Sequence, residues 1–600
     1  MAGPPAHKPR RKVKNGGSEI SNASSDRKVR SSAAGQKPTY PLAAFLWPAR
    51  ASVSQWELLP LILMAVGLFR WVAGLWGYSG YQSPPMHGDY EAQRHWMEIT
   101  TQLPISQWYF HDLEWWGLDY PPLTAYHSWI LGQIGSLVNP SWFALHTSRG
   151  TDDETLKVFM RSTVVVSEYL IYIPAAVIFV RRLSRIYGLH TWEASVALVA
   201  LLMQPSTLLI DHVHFQYNTV MLGFVLASMS SMLAGRLLWG CVFFVAALGF
   251  KQMTLYFAPA IFAYLLGYSL IPRIYFLRLV KIAVITVISF TLLVLPIYLG
   301  ALYDTYRGID ARPELFGLAA PLPIISSWSY MLNPRAWYYP VVQQTAQLLY
   351  RIFPFSRGLF EDKVANFWCA LNVVVKLKAY SSDHLQRAAL VATLATIVPP
   401  CLIIFLKPRK ELLPLALSST AWAFFLFSFQ VHEKSVLLPL MPMTALLAGK
   451  NGLTNYSRAW IGFANMLGVW TLFPLLQRVD LRVPYFVISL LWAYLLGLPP
   501  TSWSAYSGDM ISSWLGLATA LLHTTFYVAM IAWHVLEASM QPPTNLPDLW
   551  TVANVGIGAV GFAICYLWCL TSLLLESGIL SAQRAEQRSP TSEHKRARKQ

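Results

Sequence analysis

Three polar segments stand out from a greasy chain, and each carries residues able to move a proton or hold a charge. The first joins Gly88-Asp89-Tyr90-Glu91-Ala92-Gln93-Arg94-His95-Trp96 to Glu114-Trp115-Trp116-Gly117-Leu118-Asp119-Tyr120-Pro121-Pro122; the second is Asp211-His212-Val213-His214-Phe215-Gln216-Tyr217-Asn218; the third is Val431-His432-Glu433-Lys434. Carboxylates among Trp and Tyr rings suit a carbohydrate, because rings stack on the apolar faces of sugars while acids and amides bind hydroxyls. One such acid, poised as a base, deprotonates an attacking sugar hydroxyl. If the donor sugar is carried on a lipid phosphate, the leaving group needs no proton, and cations stabilise the charge it develops. Asp89 is the candidate base; His432, Lys434, Lys251 and Arg94 are candidate phosphate partners, and spacing does not choose among them. Asp211, His212 and His214 fit no strong metal-ligand spacing, so neither metal nor cofactor is expected. Each segment also has a plainer reading: solvated loop acids, an interfacial aromatic belt, or the ends of two helices.

Composition dictates the elements that must position these residues. The chain has 600 residues, 55% hydrophobic and 13% charged, where a soluble protein carries about 25% charged residues. Apolar runs of near-spanning length recur, among them Leu58 to Trp76, Ser162 to Val180, Ile282 to Tyr298, Leu412 to Phe429 and Val552 to Leu575. An all-α polytopic membrane protein with about 12–14 transmembrane helices follows. The five cysteines lie in or beside apolar runs without metal-type spacing and read as small buried hydrophobes. The net charge of +16 gathers in a Ser/Gly/Pro-rich head and a basic tail without a folded basic module, which argues against nucleic acid. Residues 1–50 are expected to be a disordered basic cytosolic arm, 51–576 the transmembrane domain, and 577–600 a basic cytosolic tail. The head is not expected to be a secretory signal, because its basic part is too long.

The positive-inside rule then places the polar segments. With both ends cytosolic and an even number of spans, the first span delivers the chain to the far side. Between Tyr78 and Tyr120 stand Asp89, Glu91, Glu98, Asp112, Glu114 and Asp119 against Arg94 alone, and the next basic cluster is Arg181, Arg182 and Arg185. Residues 78–161 should therefore form one long non-cytosolic loop, with Pro122 to Val138 as a surface or re-entrant helix. The same bookkeeping brings the segments at 211–218 and 431–434 to that face, and ionisable groups at membrane depth usually mark a site. Between about residues 250 and 400 the parity does not close. The sequon Asn455-Tyr456-Ser457 falls in a cytosolic turn and is expected to carry no glycan.

These motifs, with Leu103-Pro104-Ile105-Ser106-Gln107-Trp108-Tyr109 and His214-Phe215-Gln216-Tyr217-Asn218, resemble the eukaryotic dolichyl-phosphate-glucose-dependent α-1,3-glucosyltransferases of the endoplasmic reticulum. The likeness covers about Pro41 to Glu576. It implies a GT-C glycosyltransferase fold, a luminal polar cavity and metal-independent inverting transfer. Dolichyl-phosphate glucose would be the donor and lipid-linked Man9GlcNAc2 the acceptor. Two paralogous enzymes share the architecture, adding the first or the second glucose; the blocks at 91–98 and 114–119 look like the first-glucose enzyme. Carried over onto this chain, Asp89 is the general base, His432 and Lys434 lie near the donor, and Trp115, Trp116 and Asp119 shape the sugar pocket. The full candidate binding set adds Glu91, Arg94, His95, Trp96, Tyr120, Asp211, His212, His214, Gln216, Asn218, Lys251, Gln252 and Glu433.

A transporter or flippase for a lipid-linked sugar is the rival class, but the second half of the chain shows no counterpart of the acid-aromatic first loop, as a repeat-built transporter should. A non-catalytic glycolipid-binding subunit is a third reading. Enclosing a whole polyprenyl chain would need a very large internal volume, so the tail should lie in a groove open to the bilayer. A short-chain donor that keeps its phosphate is accordingly expected to serve as substrate. Loss of transfer on shortening the tail, under matched detergent, would contradict that arrangement.

Overall fold

The computed structural model describes residues 39–52, 54–309, 312, 333–353 and 363–580. The sequence-expected basic head and tail lie largely outside them, although Pro41–Leu46, counted above with the arm, is a helix. Among the described residues there is no β-strand. Nine helices among the described residues are long and apolar enough to cross a membrane, from Trp56–Gly74 to Leu549–Ser577. Shorter apolar helices run among them: Asn218–Leu233, Leu237–Phe250, Leu413–Phe427, Leu437–Ala445 and Arg482–Leu496.

Hydrogen bonds at helix ends gather separate segments at two ends of the bundle. At one end Arg182 donates to the Ser230 carbonyl, Lys410 to Leu233 and Arg409 to Glu576. At the other, Ser106 bonds Asp304, and Gln344 and Gln347 donate to the carbonyls of Ser106 and Tyr109. Between residues 250 and 400, Tyr339–Ile352 is a surface helix lying on the long loop, while Gln252–Leu270, Phe276–Arg307 and Ser382–Leu406 cross. Part of that interval, 313–332 and 354–362, is outside the described residues. Asn455 of the sequon donates to the Ser507 carbonyl.

The long loop is a packed layer. The helical run Glu154–Tyr187 begins within its last residues. Pro122–Val138 forms a helix along the notch of Gly88–Gln102, with Pro122 at its first turn, where a missing N–H costs nothing. A Cβ at Gly132 would stand 2.2 Å from Thr101 Oγ1 and 2.8 Å from the Met97 carbonyl. Only a glycine lets these two helices approach so closely.

Arg94 holds the layer together. Its guanidinium meets Glu91 through Nε and Nη2 (2.8 and 2.6 Å) and Glu98 through Nη2 (2.6 Å), and it donates from Nη1 to Ser148 Oγ and the Trp142 carbonyl. Glu98 in turn accepts from the His146 backbone N–H. Burial would raise the Glu98 carboxyl, but His95 and Arg94 outweigh it and hold the group at about 2. Its contribution to stability is therefore present above its ordinary 4.5 and fades as pH falls through about 2.

Gly88 opens the helix at φ +63°, where a Cβ would meet the Ser79 carbonyl oxygen at 2.7 Å and the Gly80 nitrogen at 2.8 Å. Gly88→Ala is expected to destabilise the protein by about 1–3 kcal/mol through that strain. The readout is a fall in thermal midpoint of the purified protein, which Gly556→Ala, in open space, should not show.

Candidate active site

The three polar segments converge on one cavity of about 520 Å³ at the loop end of the bundle. Asp89 enters from the first turn of Gly88–Gln102. Its backbone N–H donates to Ser79 Oγ, and the Ser79 N–H donates to the His214 carbonyl. The start of the loop is thereby pinned to the second segment.

That segment is helical with π-type turns from Leu208 to Phe215 and then breaks. Phe215 sits at φ +89°, a conformation a bulky side chain adopts only under constraint from its surroundings. Its ring is wedged edge-on between Tyr90 and Tyr217, and the kink turns Gln216 into an extended conformation facing Asp89. Arg161 takes up the carbonyls freed there, donating to His212, to Val213 (3.0 Å) and across to Gly77 (2.9 Å).

A continuous polar chain results. Gln216 Nε2 donates to Asp89 Oδ2 at 2.8 Å, while its Oε1 lies 3.4 Å from Lys251 Nζ. Lys251 donates to Asn218 Oδ1 at 2.5 Å; the Asn218 amide donates to Asp211 Oδ1, and the Thr219 backbone N–H to Asp211 Oδ2. Lys251 also stands over the Tyr120 ring at 4.5 Å. Because Lys251 can only donate and the Asp89 carboxylate can only accept, Gln216 has one permitted amide orientation.

Lys434 comes from the third segment and pairs with Asp89 Oδ2. His214 Nδ1 lies 3.5 Å from the same oxygen. All of these contacts fall on Oδ2; no described residue bonds Oδ1. Burial on its own would raise the Asp89 pKa, but Lys434 above all, with His214 and Gln216, holds the carboxyl well below the usual range.

Trp96, Trp116, Asp119, Tyr120, Gln252, His432 and Glu433 complete the part of the lining foreseen from sequence. Trp96 Nε1 donates to the Trp116 carbonyl, and Trp116 Nε1 to that of Met86, which orients both indoles. Gln252 donates weakly to the carbonyls of Asp119 and Ile352. Arg351, Arg478, Gln93 and Tyr256 also line the cavity and were not foreseen. Arg351 donates to the carbonyls of Leu118 and Gly117, and Arg478 pairs with Glu433 at 3.1 Å. Both arginines end helices far away in sequence, so no local signal marks them.

Several expected binding residues do not reach the cavity. Glu91, Arg94 and His95 are buried in the cluster that holds the loop layer, so Arg94 has no donor to spare for a phosphate. Trp115 lies against the guanidinium of Arg149, which pairs with Asp112. Asp211 and Asn218 stand behind Lys251. His212 turns away, 2.9 Å from Glu168, which also pairs with Arg70. Asp211, His212 and His214 therefore diverge, and among the described residues no group of three or more His, Cys, Asp or Glu is arranged to hold a metal.

The cavity gathers Asp89, Asp119 and Glu433 with Lys251, Arg351, Lys434 and Arg478 at one end of a helical bundle, and the chain is of the membrane-embedded glycosyltransferase class. The particular family is the ALG6, ALG8 glycosyltransferase family: its model matches residues 61–308 and 319–570, and the chain belongs to it. Relatives are similar over nearly their whole length. The probable dolichyl pyrophosphate Man9GlcNAc2 alpha-1,3-glucosyltransferase of Schizosaccharomyces pombe is 42% identical over 90% of this chain and 96% of its own. The dolichyl pyrophosphate Man9GlcNAc2 alpha-1,3-glucosyltransferase of Saccharomyces cerevisiae is 40% identical, covering 88% and 93%. That of Gallus gallus is 34% identical, covering 88% and 98%.

Arg94→Met removes the partner of two buried carboxylates and is expected to destabilise the protein by about 3–5 kcal/mol. Because Arg94 does not touch the cavity, the loss should appear as a lower melting temperature and less active enzyme, with the substrate KM of the folded fraction unchanged.

Proposed function

We propose that this glycosyltransferase moves the first glucose from dolichyl-phosphate β-glucose to the terminal mannose of lipid-linked Man9GlcNAc2, making an α-1,3 link in the lumen of the endoplasmic reticulum. The acceptor follows the names of the relatives, and the basic end of the bundle then faces the cytosol by the positive-inside rule. The observation that carries the chemistry is Asp89, its Oδ1 unbonded by any described residue and its Oδ2 held by Lys434 and Gln216.

The step is a single inverting displacement. Asp89 Oδ1 takes the proton of the mannose 3-hydroxyl as that oxygen attacks the anomeric carbon. The bond from that carbon to the phosphate oxygen breaks on the opposite face, and its electron pair leaves on dolichyl phosphate. Lys434 is the cation closest to the base, with His432 and Arg478 on the same wall, and these receive the departing phosphate. Trp116 and Tyr120 supply faces for the sugar rings.

Paired with Lys434, Asp89 is a weak base. An arriving phosphate competes for Lys434, and the carboxylate regains basicity as its partner turns away. The donor thus prepares the base for its own reaction.

Purified protein should glucosylate lipid-linked Man9GlcNAc2, and Asp89→Asn should lower kcat by about 10²–10⁴-fold or more while remaining folded. Wild-type action only on an acceptor already bearing one glucose would reassign the step to the second glucose. No transfer to either acceptor would defeat the enzymatic reading. Removing Lys434 takes away the main influence that depresses Asp89, so in Lys434→Met the acid limb of kcat/KM should move to higher pH. An unmoved limb would show that Asp89 is not the titrating base.

A further inference from the structure

A second cavity lies at the opposite end of the bundle from the active site. It has a volume of about 750 Å³ and forms where the turn at 234–236 meets the start of Phe276–Arg307. The turn joins two helices whose other ends, Asn218 and Lys251, belong to the active-site chain, so the two cavities stand at opposite membrane faces.

Its chemistry is divided. Trp239 and Phe276 are 58% and 72% exposed and, with Leu277, make an apolar wall. Phe276–Arg307 has only 6% of its most apolar stretch buried inside the protein, so this wall opens onto lipid. Along the rim stand Arg236, Arg278 and Lys281, and no lining residue is acidic. Arg278 is anchored by a 2.6 Å bond to the Tyr268 carbonyl and by the rings of Tyr268 and Tyr275 at 4.6 and 4.4 Å. The side chains of Arg236 and Lys281 make no hydrogen bond or ion pair with a described residue.

We infer that this cavity binds an anionic glycerophospholipid from the leaflet opposite the active site, with Arg236 and Lys281 on its phosphate and its acyl chains along Trp239, Phe276 and Leu277. Cations above a lipid-facing apolar wall, with aromatic rings at the boundary, match a charged headgroup joined to hydrocarbon. A soluble anion would leave the apolar wall unused, and a zwitterionic lipid would bring an ammonium group among three cations. The polyprenyl-phosphate donor is used at the other face, which leaves the common anionic phospholipids as the occupants.

Native mass spectrometry of the full-length protein, released from micelles containing phosphatidylinositol, phosphatidylcholine or a polyprenyl phosphate, tests this. Phosphatidylinositol should be retained in preference to the other two. In the Arg236→Ala/Lys281→Ala double variant its apparent Kd should rise by about fivefold for each charge removed, roughly 25-fold in all. Arg307→Ala, at the other end of the same helix, should leave retention unchanged, and retained transfer activity would show the double variant to be folded. Equal retention of phosphatidylcholine, an unaltered Kd in the double variant, or preference for the polyprenyl phosphate would each overturn the assignment.

Discussion

A charge carried below the membrane surface must meet its partner there, and this requirement organises the protein. Asp89 and Lys434 are 345 residues apart in sequence, and each, only partly exposed in the cavity wall, would be costly to leave there without the other. The pair therefore joins the first loop to a hairpin near the far end of the chain. Glu168 imposes the same condition deeper in the bundle, where it draws Arg70 from the first crossing helix and His212 from the kinked one. Irregular backbone at 208–216 is tolerated because Arg161 supplies donors to its open carbonyls.

The chain from Asp211 through Asn218, Lys251 and Gln216 to Asp89 gives the site a defined polarity. Lys251 only donates and the Asp89 carboxylate only accepts, so the orientation of the Gln216 amide between them is inherited from its neighbours. Under the proposed mechanism Asp89 keeps this position through the reaction and only its ion pair with Lys434 exchanges partners.

How much of this was legible in the sequence differs by feature. Composition and apolar runs set the helical membrane class, and charge counting put the polar segments on one face, because both depend on additive properties of residues. The helix Pro122–Val138 was readable from its starting prolines and modest length. Arg94 was misread for the opposite reason: a lone cation among acids looks available, yet its i−3 and i+4 carboxylates consume it, and that depends on which side of the helix is buried. Arg351 and Arg478 gave no signal, because their proximity to Asp89 comes from the packing of crossings remote in sequence. The interval from 250 to 400 resisted counting because Tyr339–Ile352, although amphipathic, lies on the loop layer and does not cross.

The helices bordering the active site are short. Leu237–Phe250 has 14 residues, about 21 Å of rise, against a hydrocarbon core of about 30 Å. Lys251, which caps that helix, lines the cavity, so a helix shorter than the hydrocarbon core sets this cation below the level of the headgroups. A lipid-anchored sugar can then be processed with its anchor still at its resting depth, and no work is spent drawing hydrocarbon into water.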